Sequence, residues 1–370
     1  MADYVNVLLV FIPLGIVAAQ LQWSPGSVFA LNFFAIIPLA AILSFVTEEL
    51  AEHLGETLGG LLNATFGNAV ELIVSIAALN SGQIEVIQAS LLGSIISNLL
   101  LVMGLCFLLG GIYNMTDDGN KGSEQNFAST TGQLTSTLMT LASASMVLPA
   151  ALYYALEGES EDDILAKVLL LSRGTAIILL CLYVLYMIFQ LRTHKDLFVS
   201  NESDAITAEV DGSGATMSAR AAFIVLITTT ILVSFCAEAL VSSIDGLVES
   251  SNLSKRFIGL ILIPIVSNAA EHATACVVAI KNKMDLALSV VIGASVQIAL
   301  LVTPVLVLLG WCVGQPMSLH FQTFEIIVFA LCVLVISHAI QDGRANYLEG
   351  SMMLGLYALI ALAAWLMPSD

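Results

Sequence analysis

Two carboxylates and two carboxamides recur in this sequence at one spacing, inside strongly apolar surroundings. The stretch from Gly67 to Leu105 begins GNAVELIVS, and the stretch from Ser267 to Val305 begins SNAAEHATA. Adding 200 to the first numbering superposes them without a gap, so that Asn68 meets Asn268, Glu71 meets Glu271, Glu85 meets Asp285 and Gly93 meets Gly293. Within each copy the asparagine precedes the glutamate by three residues, which puts carboxamide and carboxylate on one face of a helix. An ionised carboxylate at membrane depth is too costly to keep unless it is paired, protonated or turned to water. A duplicated one therefore marks function.

Two such carboxylates brought close across a pseudo-two-fold repel each other, and either a divalent cation or protons relieve that repulsion. The pair suits one occupant or the other but not both, and mutual exclusion of that kind is what an exchanger needs. Asn68 and Asn268 add amide oxygens one turn before the glutamates, and Ser94, Ser97, Asn98, Ser295 and Gln297 add more from the helices that follow. Calcium takes such oxygen-rich, flexible cages, whereas zinc wants His or Cys. The candidate metal ligands are thus Glu71, Glu271, Asn68 and Asn268. The one adjoining histidine, His272, points about 100° away from Glu271 on a helix and suits proton relay or a structural hydrogen bond better than ligation. Glu48 and Glu238, one helix earlier in each copy, read as gate or proton-entry groups or as interfacial charges. Glu85 and Asp285 sit at helix starts, where a carboxylate is favoured for local reasons. Gly67, Gly93, Gly104 and Gly293 allow close approach; Pro264 sits four residues before Asn268, and Pro304 is expected to interrupt the ninth helix.

Holding these groups requires a membrane framework. The 370 residues are 58% hydrophobic and only 11% charged, with a mean hydropathy of +0.95, which predicts an all-α polytopic membrane protein. A net charge of -18 excludes a nucleic-acid partner and favours cations. The six cysteines lie in or beside apolar segments without CxxC spacing and read as small hydrophobes. Eleven apolar stretches suit spanning: 4–21, 27–46, 61–79, 86–112, 134–156, 164–191, 219–244, 257–280, 286–313, 324–340 and 347–367. The run from Glu48 to Glu56 is expected to carry the second helix beyond the membrane face.

The repeat reaches back one helix, where Phe45-Val46-Thr47-Glu48 resembles Phe235-Cys236-Ala237-Glu238. Residues 1–26 then form an extra helix, 27–192 the first repeat, 193–218 a linker and 219–370 the second repeat. Five helices per repeat is an odd number, so the halves must be inverted, as in many secondary transporters. Counting Lys and Arg favours a cytosolic N-terminus, with Lys121, Arg192, Lys195, Arg220, Lys281, Lys283 and Arg344 inside and Lys167, Arg173, Lys255 and Arg256 outside. The acidic run from Glu157 to Asp163 is then a non-membrane segment facing the lumen or exterior. The linker, with Glu202, Asp204, Glu209 and Asp211, reads as a solvated flexible segment or a weak cation-gathering element.

Gly67-Asn68-Ala69-Val70-Glu71 followed by Gly93-Ser94, and Asn268-Ala269-Ala270-Glu271-His272 followed by Gly293, resemble the paired signatures of calcium/proton exchangers in the calcium/cation antiporter superfamily. The similarity covers nearly the whole chain and is nearest the fungal vacuolar type. It implies an antiporter moving Ca2+ out of the cytosol against H+, with Ca2+ as cargo rather than cofactor, in a vacuolar membrane. It implies cation binding at Glu71 and Glu271, with Asn68, Asn268, Ser94, Ser97 and Gln297 beside them and His272 as the family histidine. It also links the Glu202–Asp211 region to cytosolic calcium sensing, although acidic residues are sparse there. Two places depart from the pattern: Ser267 stands where the second repeat begins with Gly, and Ala294 replaces a Ser. A sodium/calcium exchanger would carry GTS-x-PE-like helices, zinc proteolysis would want HExxH spacing, and a cation channel would not need inverted repeats with broken helices. The chain is therefore expected not to be an enzyme.

Overall fold

The computed structural model describes residues 7–114, 124–127, 129–156, 158, 160–194, 217–251 and 253–367. The linker carboxylates Glu202, Asp204, Glu209 and Asp211 lie outside the described residues. In chain order the helices are α1 (Phe11–Gln20), α2 (Pro25–Leu54), α3 (Glu56–Phe66), α4 (Ala69–Asn80), α5 (Ile84–Ile96), α6 (Met103–Tyr113), α7 (Ser129–Ala155) and α8 (Glu161–Ile188). They continue with α9 (Ala219–Ser242), α10 (Ile244–Ser250), α11 (Ile263–Ser267), α12 (Ala269–Ile280), α13 (Met284–Gln297), α14 (Thr303–Val313), α15 (Thr323–Ala339) and α16 (Tyr347–Leu366). Among the described residues seven helical stretches are long and apolar enough to cross a membrane, or eight if the bent pair Lys255–Ser267 and Ala269–Ile280 is one span. Val7–Gln20, Ala69–Asn80 and Thr323–Ala339 are shorter apolar helices. The chain is an integral membrane protein, mostly helical.

Local chemistry sets the helix ends. The Ser24, Ser160 and Ser218 side chains accept the backbone N–H three residues on, at 3.4, 3.3 and 3.4 Å, satisfying donors at the starts of α2, α8 and α9. Gln322 and Glu325 form a reciprocal capping box on α15. Gly55 and Gly314, with φ of 77° and 76°, end α2 and α14 in backbone conformations that a side chain would resist.

The acidic run contributes Glu161, Asp162 and Asp163 to the first turn of α8, because Ser160 caps there and carboxylates are favoured at a helix N-terminus. The boundaries correct the sequence expectation in two places. The stretches 61–79 and 257–280 are not single helices: they break at Asn68 and at Asn268, the latter by 60°. Pro304 does not interrupt its span; a π-helical segment, Ile298–Val302, precedes it and the helix runs on to Val313.

Two compact units are formed, and each draws on both halves of the sequence. The first contains Met1–Ser90, Glu209–Ala270 and Ala363–Asp370. In it α2 and α9 pack side by side, and α1, α3, α10 and α11 also lie against α2. Asn32, buried on α2, donates to Val28 O at 2.8 Å and to Gly15 O of α1 at 3.3 Å. A Cβ on Gly15 would stand 2.7 Å from Asn32 Oδ1, so glycine is what admits α1 to this contact. Glu85 pairs with Arg256 at 3.8 Å, in keeping with a structural role.

The second unit contains Leu91–Ala208 and Glu271–Leu362. Here α13 packs against α6, α7 and the π-helical segment Ser97–Val102, while α8 packs against α14 and the segment Ile298–Val302. A two-stranded antiparallel ribbon pairs β1 (Gln125–Asn126) with β2 (Arg344–Ala345). From it Gln125 Nε2 donates to Ala279 O at 3.2 Å and Asn282 Oδ1 at 2.8 Å, while Asn114 Nδ2 donates to Ile280 O at 3.1 Å. The bond to Ile280 O satisfies a carbonyl at the end of α12.

Candidate functional site

The asparagines are the hinges of the two broken helices. Asn68 has φ -103° and ψ 27°, and Asn268 has φ -99° and ψ 8°, so both occupy the sparsely populated bridge region. Each is 1% exposed. Asn68 starts α4 without a side-chain cap of its own, and its carbonyl accepts Leu72 N at 3.1 Å. Asn268 Nδ2 donates to Pro264 O at 3.1 Å and to Ser267 Oγ at 3.4 Å. Polar side chains and bent backbone thus coincide at the same place in each repeat.

In the first unit Glu71 occupies the first turn of α4 and is 4% exposed. That position faces the positive end of the helix dipole, which favours negative charge. The Ser267 hydroxyl lies within hydrogen-bonding reach of its carboxyl, while Glu71 Oε1 is buried without a hydrogen-bond partner. Ser75, buried one turn further on, lines the same face. The unit therefore brings together Asn68, Glu71, Ser267 and Asn268, all oxygen donors, on the packed elements α4 and α11. Glu48 and Glu238 lie exposed on α2 and α9. Their neighbour Glu49 is buried instead and accepts Met217 N at 2.9 Å, with His53 Nε2 bonded to Met217 O at 2.8 Å.

In the second unit Glu271 occupies the first turn of α12 and is half-buried. His272 follows, half-buried overall, its Nε2 enclosed without a hydrogen-bond partner. Ser94, Ser97 and Ser295 are fully buried, and Gln297 is half-buried. Ser97 opens one π-helical segment and Gln297 immediately precedes the other, so the repeat extends to backbone irregularity. Such bulges re-aim side chains and occur often at functional sites. Thr303 Oγ1 donates to Ile298 O at 2.8 Å, a span of five residues that the wider turn permits. The Tyr357 hydroxyl of α16 reaches toward Ser97.

Sequence reasoning missed Ser75, Tyr357 and the π-helical segments, and it recorded Ser267 only as a departure from the pattern. The mismatch with Gly67 was the available signal for Ser267; Tyr357 bears no spacing relation to the motif. Chemically, the first unit supplies neutral oxygens beside a carboxylate at a helix start, a donor set for a hard cation or for protons, and the second unit carries a carboxylate at the matching helix start.

Comparison with known proteins places this geometry. The family described as sodium/calcium exchanger protein matches residues 25–192 and 221–366. The vacuolar calcium ion transporter of Schizosaccharomyces pombe is 44% identical over 368 residues, covering 100% of this chain and 86% of the relative. A Ca(2+)/H(+) antiporter of Aphanothece halophytica is 42% identical over 369 residues, covering 98% and 96%. The crystal structure of the Ca2+/H+ antiporter protein YfkE aligns with a TM-score of 0.81 at 34% identity, covering 99% of this chain and 100% of that one.

Proposed function

The chain belongs to the sodium/calcium exchanger protein family, and from that premise we propose that it is a secondary active antiporter exchanging cytosolic Ca2+ for H+. The observation that carries this is the 42% identity to a Ca(2+)/H(+) antiporter across 98% of the chain, with the Asn-x-x-Glu motif at a helix break in both repeats. Ca2+ is cargo, and no resident cofactor is invoked.

In this mechanism Glu71 and Glu271 carry either Ca2+ or protons. Asn68 and Asn268 contribute amide oxygens from the hinges, and Ser94, Ser97 and Gln297 contribute oxygens from α5, the segment Ser97–Val102 and α13. The charge of a divalent ion offsets the cost of two carboxylates held away from water; when it leaves, protons take over that role. Release of one occupant is thereby coupled to arrival of the other. His272 relays protons to Glu271, and Glu48 and Glu238 act at the entrances. Eleven spans in two inverted repeats behind one extra helix, with the N-terminus in the cytosol and the protein in the vacuolar membrane, accommodate this scheme. The Glu202–Asp211 segment is assigned a cytosolic calcium-gathering role.

Purified protein in proteoliposomes tests the proposal with proton and sodium gradients imposed separately. Ca2+ uptake driven by the proton gradient alone is expected. Uptake driven by sodium and not by protons would replace this reading with sodium/calcium exchange.

A further inference from the structure

Ser267 holds in the second repeat the place that Gly67 holds in the first, so a hydroxyl exists on one side only of an otherwise matched pair. It is 6% exposed, at the end of α11, which packs against α4. Three groups surround its oxygen. Asn268 Nδ2 donates to it at 3.4 Å, Pro264 O lies at 3.5 Å, and the Glu71 carboxyl is within hydrogen-bonding reach. A hydroxyl has one proton to give. The amide approaches its lone pair, and the carbonyl sits at the limit of hydrogen-bonding distance. The hydroxyl donates to Pro264 O at 3.5 Å, and the Glu71 carboxylate, the stronger acceptor, competes for the same proton. Glu71 Oε1, meanwhile, is buried with no hydrogen-bond partner.

We propose that Ser267 is a positioning residue for the cation site: its hydroxyl anchors the Glu71 carboxylate so that Oε1 is presented to the transported Ca2+. The inference rests on the reading of Glu71 as a cation ligand. It makes the repeats chemically unequal, since Gly67 offers no such anchor.

The test is radiolabelled Ca2+ uptake into proteoliposomes as a function of Ca2+ concentration, for wild type, S267G, S267A, S267T and E71Q. S267G and S267A are expected to raise KM for Ca2+ about tenfold, the size of one charge-assisted hydrogen bond, with the maximal rate per folded transporter retained. S267T keeps the hydroxyl and is expected to restore the wild-type KM. A residue that only packs would change the amount of folded protein, hence the rate, and leave KM alone. An unchanged KM in S267G and S267A, or a fall in maximal rate alone, overturns the inference. If E71Q is inactive in that experiment, the site reading survives even so; Ca2+ uptake by E71Q at the wild-type rate would remove the premise itself.

Discussion

Glu71 and Glu271 are written alike in the sequence and sit differently in the fold, one 4% exposed at the start of α4 and the other half-buried at the start of α12. On the proposed mechanism each carboxylate is needed for Ca2+, so E71Q and E271Q are each expected to abolish proton-driven Ca2+ uptake while the protein elutes from size exclusion as wild type does. Near-normal uptake in both would take these residues out of the mechanism. The positions of the asparagines and glutamates were legible because a repeat at an offset of 200 leaves few alternatives. Burial was not. Glu48 was singled out because it matches Glu238, yet the buried member of the pair is Glu49, which answers the backbone donor of Met217. E49A strands that donor and is expected to cost about 1–3 kcal/mol of stability, read as a lower Tm in detergent.

At the scale of elements, the apolar stretches were recognisable by length and composition, whereas the interruption expected at Pro304 is not there. Proline looked like the breaker, but each helix bends at an asparagine, and Pro304 is absorbed by a π-helical segment that periodicity does not reveal. The crossing of α6 and α16 depends on Gly350, where a Cβ would meet Leu108 N at 2.4 Å and Gly104 O at 2.6 Å. Both obstacles are backbone, so G350A must push the helices apart, and a loss of about 1–3 kcal/mol is expected in thermal melts. The connection between α14 and α15 carries His320, stacked on Tyr153 with ring centroids 4.4 Å apart. Burial lowers its proton affinity from the ordinary value of 6.5. Below that pH the unfolded chain therefore takes up more protons than the folded one, and stability falls as the medium is acidified. H320F keeps a ring in the stack without titrating, and its Tm is expected to decline less steeply in acid.

For the molecule as a whole, the class and the membrane framework could be read from composition, since so few charges over 370 residues leave no other fold. The division into compact units could not, because it depends on which helices meet rather than on which are adjacent in sequence. The first unit draws on residues from early, middle and late in the chain, including Arg256 with Met367, whose sulfur accepts from Nη1 at 3.0 Å. Order of synthesis and order of assembly must then diverge: the segments that leave the ribosome first wait for partners made last. Two separate polypeptides, 1–205 and 206–370, should each be degraded when produced alone and become protease-resistant when produced together. A nascent chain stalled after α5 would hold residues 1–90 of the first unit and only Leu91–Ile96 of the second, with lipid standing in for helices not yet made.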